Sequence, residues 1–137
     1  MANEKIGFVV SDFNADITHL MAKIAEEHVK FLGGKVVKVL RVPGAFDIPL
    51  GVKKLTQEKD IEGVVTLGAV IEGATEHDEV VANNAARKVM DISVETGKPV
   101  SLGIQGPGMT RADGVKRIDA YAKRSVETVI KMIKNLK

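Results

Sequence analysis

The chain has 137 residues, 45% of them apolar, with a formal charge of +2 from 20 basic and 18 acidic side chains. One globular domain over residues 1–137 is expected, since folding at this length buries about two thirds of the unfolded surface. The dispersed charge argues against a nucleic-acid or membrane partner, and the lack of cysteine removes disulfides, thiolate metal sites and a cysteine nucleophile. The three histidines have no metal-ligand spacing, no apolar run approaches the ~18 residues of a membrane span, and no signal pattern opens the chain. A metal-free, cytoplasmic protein is the expectation.

Lys5 to Val10 is an apolar run that predicts a buried first strand. The polar turn Ser11-Asp12-Phe13-Asn14 carries one of only four phenylalanines. Phe13 is either a ligand-facing aromatic or a hydrophobic staple onto the following helix. That helix is marked by a stripe of Ile17, Leu20, Met21, Ile24, Ala25, Phe31 and Leu32. His28 lies on the stripe as a partly buried structural histidine, and Gly33-Gly34 suit the C-terminal cap. Val36 to Val42, rich in β-branched residues, predicts the second strand. It enters Pro43-Gly44-Ala45-Phe46-Asp47-Ile48-Pro49, where the first two residues suit a tight turn and Asp47 suits the N-cap of a helix with Pro49 in its first turn. This helix runs through Leu55 and fades in the charged segment from Gln57 to Glu62.

Gly63 to Leu67 predicts a third buried strand, followed by Gly68 to Val80, GAVIEGATEHDEV. A helix begins near Glu76 and runs to about Thr96, with Val80, Val81, Ala85, Val89 and Ile92 as its apolar positions and polar Asn83 and Asn84 among them. Unpaired N–H groups and partial positive charge at such a helix start suit an anion. Gly73 permits close approach of backbone to ligand, Thr75 offers a hydroxyl for a cap or a phosphate, and His77 trades protons near neutral pH. The bland alternative is a turn, a cap and an exposed helical histidine. Gly68 and Gly73 have Walker A spacing, but Ala74 stands where that motif needs lysine. No dinucleotide-binding glycine fingerprint follows any strand.

Pro99 to Ile104 predicts a fourth strand, Gln105 to Thr110 a Gly/Pro loop, and the remainder a short helix and a final one patterned by Ile118, Ala122, Val126, Val129, Ile130 and Ile133. Strands alternating with helices predict a three-layer α/β fold. With right-handed crossovers, the simplest layout is a flavodoxin-like four-stranded parallel sheet in the order 2-1-3-4, flanked by helices. Ligands bind beyond the carboxyl ends of the strands where the order reverses, which draws Phe13, Asp47 and His77 toward one crevice.

Asp12-Phe13-Asn14, the run from Val42 to Pro49, and Gly68 to His77 resemble lumazine synthase, the penultimate enzyme of riboflavin biosynthesis, and its archaeal members most closely. The likeness spans the chain in the same order and spacing. It implies condensation of 5-amino-6-ribitylaminouracil with a four-carbon hydroxyketone phosphate, a reaction whose steps move protons and call for no metal or redox cofactor. By this resemblance Phe13 stacks on the pyrimidine, Ala45, Phe46 and Asp47 face the ribityl chain, and backbone groups of Ala69, Val70 and Ile71 read the ring edge. Ala74 and Thr75 hold the phosphate and His77 moves protons, with Glu76 and Asp78 beside it. Arg117 fits the family's phosphate-binding arginine best, with Lys116 and Arg124 as the other candidates and solvated helix charge as the plain alternative for all three. Leu102 stands where many relatives have an aromatic that reaches into a neighbour's site. The resemblance further implies pentamers with sites between subunits, in some relatives built into sixty-subunit shells.

Three other readings compete for a chain of this kind. A receiver-like signalling domain would need an aspartate at the end of the third strand, where Leu67-Gly68-Ala69 offers none. A flavin carrier would use the same crevice, and the archaeal riboflavin synthases are related paralogues.

Overall fold

In a computed structural model, residues 3–73 and 77–137 are described. The elements in chain order are β1 (Lys5–Ser11), α1 (Ala15–Phe31), β2 (Lys35–Val42), a 3₁₀ turn (Ala45–Asp47), α2 (Ile48–Thr56), β3 (Gly63–Ala69), α3 (His77–Thr96), β4 (Val100–Ser101), β5 (Ile104–Gln105), α4 (Arg111–Lys116) and α5 (Ile118–Asn135). The strands form one parallel sheet in the order β2-β1-β3-β4, with β5 also pairing with β3. The flavodoxin-like order is therefore as expected.

The two sheet faces are covered by different helices because β1 and β3 are apolar on both sides, as buried parallel strands require. Ile6, Phe8, Val10, Val65 and Leu67 pack with α1 and α5, whereas Val9 and Val64 pack with α2 and α3. All six apolar positions expected on the final helix are buried. On α1 the buried stripe is Ile17, Thr18, Met21, Ala25 and Val29, whereas Leu20 and Phe31 are exposed. The stripe follows the i, i+4 row, and those two side chains fall outside it. On α3 the stripe is Asp78, Ala82, Ala85, Val89 and Ile92. Val80 projects to solvent together with Asn83 and Asn84, and the Asn84 side chain donates back to the Val80 carbonyl oxygen.

The expected fourth strand, Pro99 to Ile104, is broken in two by a side chain from its neighbour. Thr66 Oγ1 donates to the Ser101 carbonyl oxygen at 2.8 Å and accepts from the Gly103 N–H at 3.0 Å. Leu102 and Gly103 leave the ladder there, and pairing resumes at Ile104. Gly103 passes so close to the Thr66 carbonyl that an added Cβ would overlap it.

Candidate active site

The carboxyl ends of β1 and β3 and the start of α3 enclose a cavity of about 180 Å³ lined by Phe13, Asn14, Ala45, Ala69, Val70, Ile71, His77, Asp78 and Val81. Six expected site residues thus meet: Phe13, Ala45, Ala69, Val70, Ile71 and His77. A larger groove of about 620 Å³ lies between β2 and α2, walled mainly by apolar atoms of Leu40, Val42, Pro43, Leu50 and Gly51. It has no histidine, so the smaller cavity is the better candidate for proton chemistry.

The Phe13 turn is held from below by backbone. Asp12 N–H donates to the Val42 carbonyl at 2.8 Å and Phe13 N–H to the Pro43 carbonyl at 2.9 Å. The Asp12 carboxylate accepts from His19 and Arg41, which hold it below the usual carboxylate range. Phe13 itself is 72% exposed, so it is not a staple on α1. Asn14 follows at φ 64°, the left-handed region, which asparagine tolerates better than most side chains. Its side chain does not cap α1. Instead Nδ2 donates to the Ala69 carbonyl at 2.9 Å, and Oδ1 accepts from Arg111 Nη2 at 2.7 Å. Arg111 also pairs with both oxygens of Asp16 and lowers that carboxyl below its ordinary value.

Other expected residues fall elsewhere. The Asp47 carboxylate does not cap α2, because it turns back to accept the Gly44 N–H at 3.0 Å within the 3₁₀ turn. It lines the larger groove. Phe46 is 69% exposed and lines neither cavity. Leu102, 53% exposed, sits at the break between β4 and β5 beside Met90 and Val94 of α3. Arg117 is exposed where α4 gives way to α5, and Arg124 lies over the Tyr121 ring at 5.5 Å. Ala74, Thr75 and Glu76 lie outside the described residues.

Two of the backbone groups expected to read a ring edge already have partners: the Ala69 carbonyl takes Asn14, and the Val70 N–H donates to the Gln105 carbonyl at 2.8 Å. Asn14 and Val81 are lining residues to which the sequence reading gave no site role, and Asp78, expected only as a neighbour of His77, lines the cavity with them. An asparagine before a helix looks like a cap, and only its left-handed backbone reveals another use. Among the described residues no cluster of three or more His, Cys, Asp or Glu side chains could hold a metal.

Comparison with known proteins gives a consistent answer. Residues 3–137 match the family of 6,7-dimethyl-8-ribityllumazine synthase. A protein of that name from Methanocaldococcus jannaschii is 56% identical over 132 residues, covering 96% of this chain and 93% of the relative. Its counterpart from Archaeoglobus fulgidus is 55% identical over 137 residues, covering 100% and 95% respectively. One from Methanococcus maripaludis is 58% identical over 133 residues, covering 97% and 96%. Matches of this identity and coverage leave one conclusion: the chain belongs to the 6,7-dimethyl-8-ribityllumazine synthase family.

Proposed function

We infer that this chain is a cytoplasmic transferase that condenses 5-amino-6-(D-ribitylamino)uracil with 3,4-dihydroxy-2-butanone 4-phosphate to give 6,7-dimethyl-8-ribityllumazine. The observation that carries the reading is the meeting of an exposed aromatic, backbone polar groups at a strand end and one histidine in a single cavity of a chain from this family. The cytoplasmic placement rests on the family alone.

The chemistry suits those groups. The uracil's amine attacks the ketone and water leaves as the imine forms; phosphate is then eliminated, and the ribitylamino nitrogen closes the ring with loss of a second water. Each step passes a proton, and positioning plus one general acid–base group supplies the acceleration. In this reading Phe13 stacks on the pyrimidine, Ile71 and its neighbours meet the ring edge, and His77 carries protons. Ala45, Phe46 and Asp47 face the ribityl chain, while Ala74 and Thr75 hold the phosphate.

A cavity of about 180 Å³ is small beside the ~300–1,000 Å³ usual for ligand sites. Among the described residues that line it, none is a lysine or arginine. Both shortfalls are met if a second copy closes the site, with Leu102 as an apolar wall and Arg117 as the phosphate's cation. The apolar surface supports this, because it includes two different hollows: one lined by Leu40, Pro43 and Leu50, the other by Met90, Val94 and Leu102. Unlike patches pair head to tail, and such contacts form a ring when the rotation closes. A pentamer is the ring we infer, alone or as the unit of a shell.

The test is to mix the two substrates with purified protein and follow lumazine fluorescence and phosphate release, with light scattering at micromolar concentration. Product from both substrates and a particle of at least five subunits support the reading. Riboflavin formed from lumazine alone would assign the chain to the paralogous reaction, and a fully active monomer would refute the shared site.

A further inference from the structure

The segment from Gln105 to Arg111 has no part in the chemistry above, yet it is bonded to the Phe13 turn, to the end of β3 and to the start of α3, three of the pieces that carry the cavity. The Gln105 and Met109 carbonyls accept the N–H groups of Val70 and Glu72, each at 2.8 Å. Gly108 N–H donates to Asp78 Oδ2 at 3.0 Å, and Arg111 reaches Asn14. The approach is tight at Gly106, where φ is +103° and an added Cβ would overlap the Val70 carbonyl oxygen. Asp78 is the unusual member. It is ionisable and only 8% exposed, and it faces across to a loop thirty residues onward. Burial of a carboxylate is costly without partners that favour it, so this contact has a purpose worth identifying.

We propose that Asp78 is a positioning residue for His77. By holding the Gly108 N–H it docks the first turn of α3 onto the 105–111 segment. The same segment holds Val70 and Glu72, beside the ring-edge contact at Ile71. The histidine and the substrate's ring edge are thereby referred to one rigid piece of backbone, and their separation is fixed. This rests on the reading of His77 as proton carrier. Binding groups on the Phe13 and β3 side keep their own supports if the Asp78 contact is lost, so the damage falls on proton transfer.

The test compares Asp78→Ala, Asp78→Glu and Asp78→Asn in the assembled enzyme, measuring kcat, both KM values and amide hydrogen exchange at Gly108. Asp78→Ala and Asp78→Glu remove or displace the acceptor, and kcat falls by about 10- to 100-fold, the scale of a sub-ångström to ångström misplacement. KM for each substrate stays within about threefold, as expected when only a transition-state interaction is lost. Asp78→Asn keeps an acceptor oxygen in place, recovers most of the rate, and leaves Gly108 protected, whereas exchange quickens in the other two. The proposal is overturned by parental kcat in Asp78→Ala, by Asp78→Asn as slow as Asp78→Ala, or by unchanged exchange at Gly108. If the parent forms no lumazine, the assigned reaction fails instead, and exchange at Gly108 alone then decides the docking. Asp78→Glu and Asp78→Asn carry the test if Asp78→Ala does not assemble.

Discussion

Replacing Phe13 with alanine separates a binding role from a folding role. With 72% of the residue exposed, about a quarter of a surface near 200 Å² is in contact, and its loss costs at most about 1.5 kcal/mol. For a chain of this length that lowers the melting temperature by about 3–6 °C. A staple buried against α1 would instead cost about 3–5 kcal/mol, and the melt would fall by about 6–20 °C on the same ~2–4 °C per kcal/mol scale. Stacking of an aromatic on a base contributes about 1–3 kcal/mol, so pyrimidine affinity should weaken by about 5- to 150-fold. Calorimetric titration of the pyrimidine substrate, paired with thermal melting, reads both quantities on one sample. Unchanged affinity with a melt lowered beyond 10 °C would refute the stacking assignment.

Three further outcomes are expected. His77→Ala lowers kcat by about 10²-fold in steady-state lumazine formation, and an equal kcat would remove His77 from the mechanism. Arg117→Ala raises KM for the phosphorylated substrate by about 10- to 100-fold and leaves the pyrimidine's KM nearly unchanged, as loss of a charge-assisted contact requires; the same effect from Lys116→Ala instead would move the assignment by one residue. The carboxyls of Asp12, Asp16 and Asp113 are held low by His19 with Arg41, by Arg111, and by Thr110 respectively. A depressed folded value stabilises above the unfolded value and fades as pH falls through the folded one, so melting temperature holds level from pH 6 to 5 and declines below about pH 4. A decline beginning at pH 6 would implicate another group.

Hydrophobic period and turn chemistry carried the fold into plain view, since β1, β3 and α5 have their apolar residues where burial demands them. What escaped the one-dimensional pattern depends on contacts between distant segments. The split of the last strand follows from the Thr66 hydroxyl, which sits on another strand and looks like an ordinary β-branched residue. Asp47 has the profile of an N-cap, yet a local turn claims its carboxylate. The cavity was legible in Phe13 and His77 because one follows the first strand in a turn and the other opens the helix after the third, while Ala45 came with the family resemblance. Asn14 and Asp78 were not legible, because each resembles a routine helix-start residue until its backbone angle or its burial is known. Leu102 and Arg117 lie away from the cavity of their own chain, and under the proposed shared site no intrachain pattern could place them.

The interrupted last strand also bears on how the chain behaves when crowded. A sheet with four ordered positions has two open borders, and an unpaired border invites strands from other molecules to add on. On one side the Thr66 hydroxyl leaves only two-residue strands, Val100–Ser101 and Ile104–Gln105, too short a template for a foreign chain to follow. On the other, β2 is eight residues long, but its register slips near Val37, where β1 advances from Ile6 to Gly7. Lys35, Lys38 and Arg41 are exposed along it. Irregularity and cationic side chains are the protections natural sheets use at such borders. The chain is therefore guarded at both margins against misdirected strand addition, while its exposed apolar helical side chains stay available for other contacts.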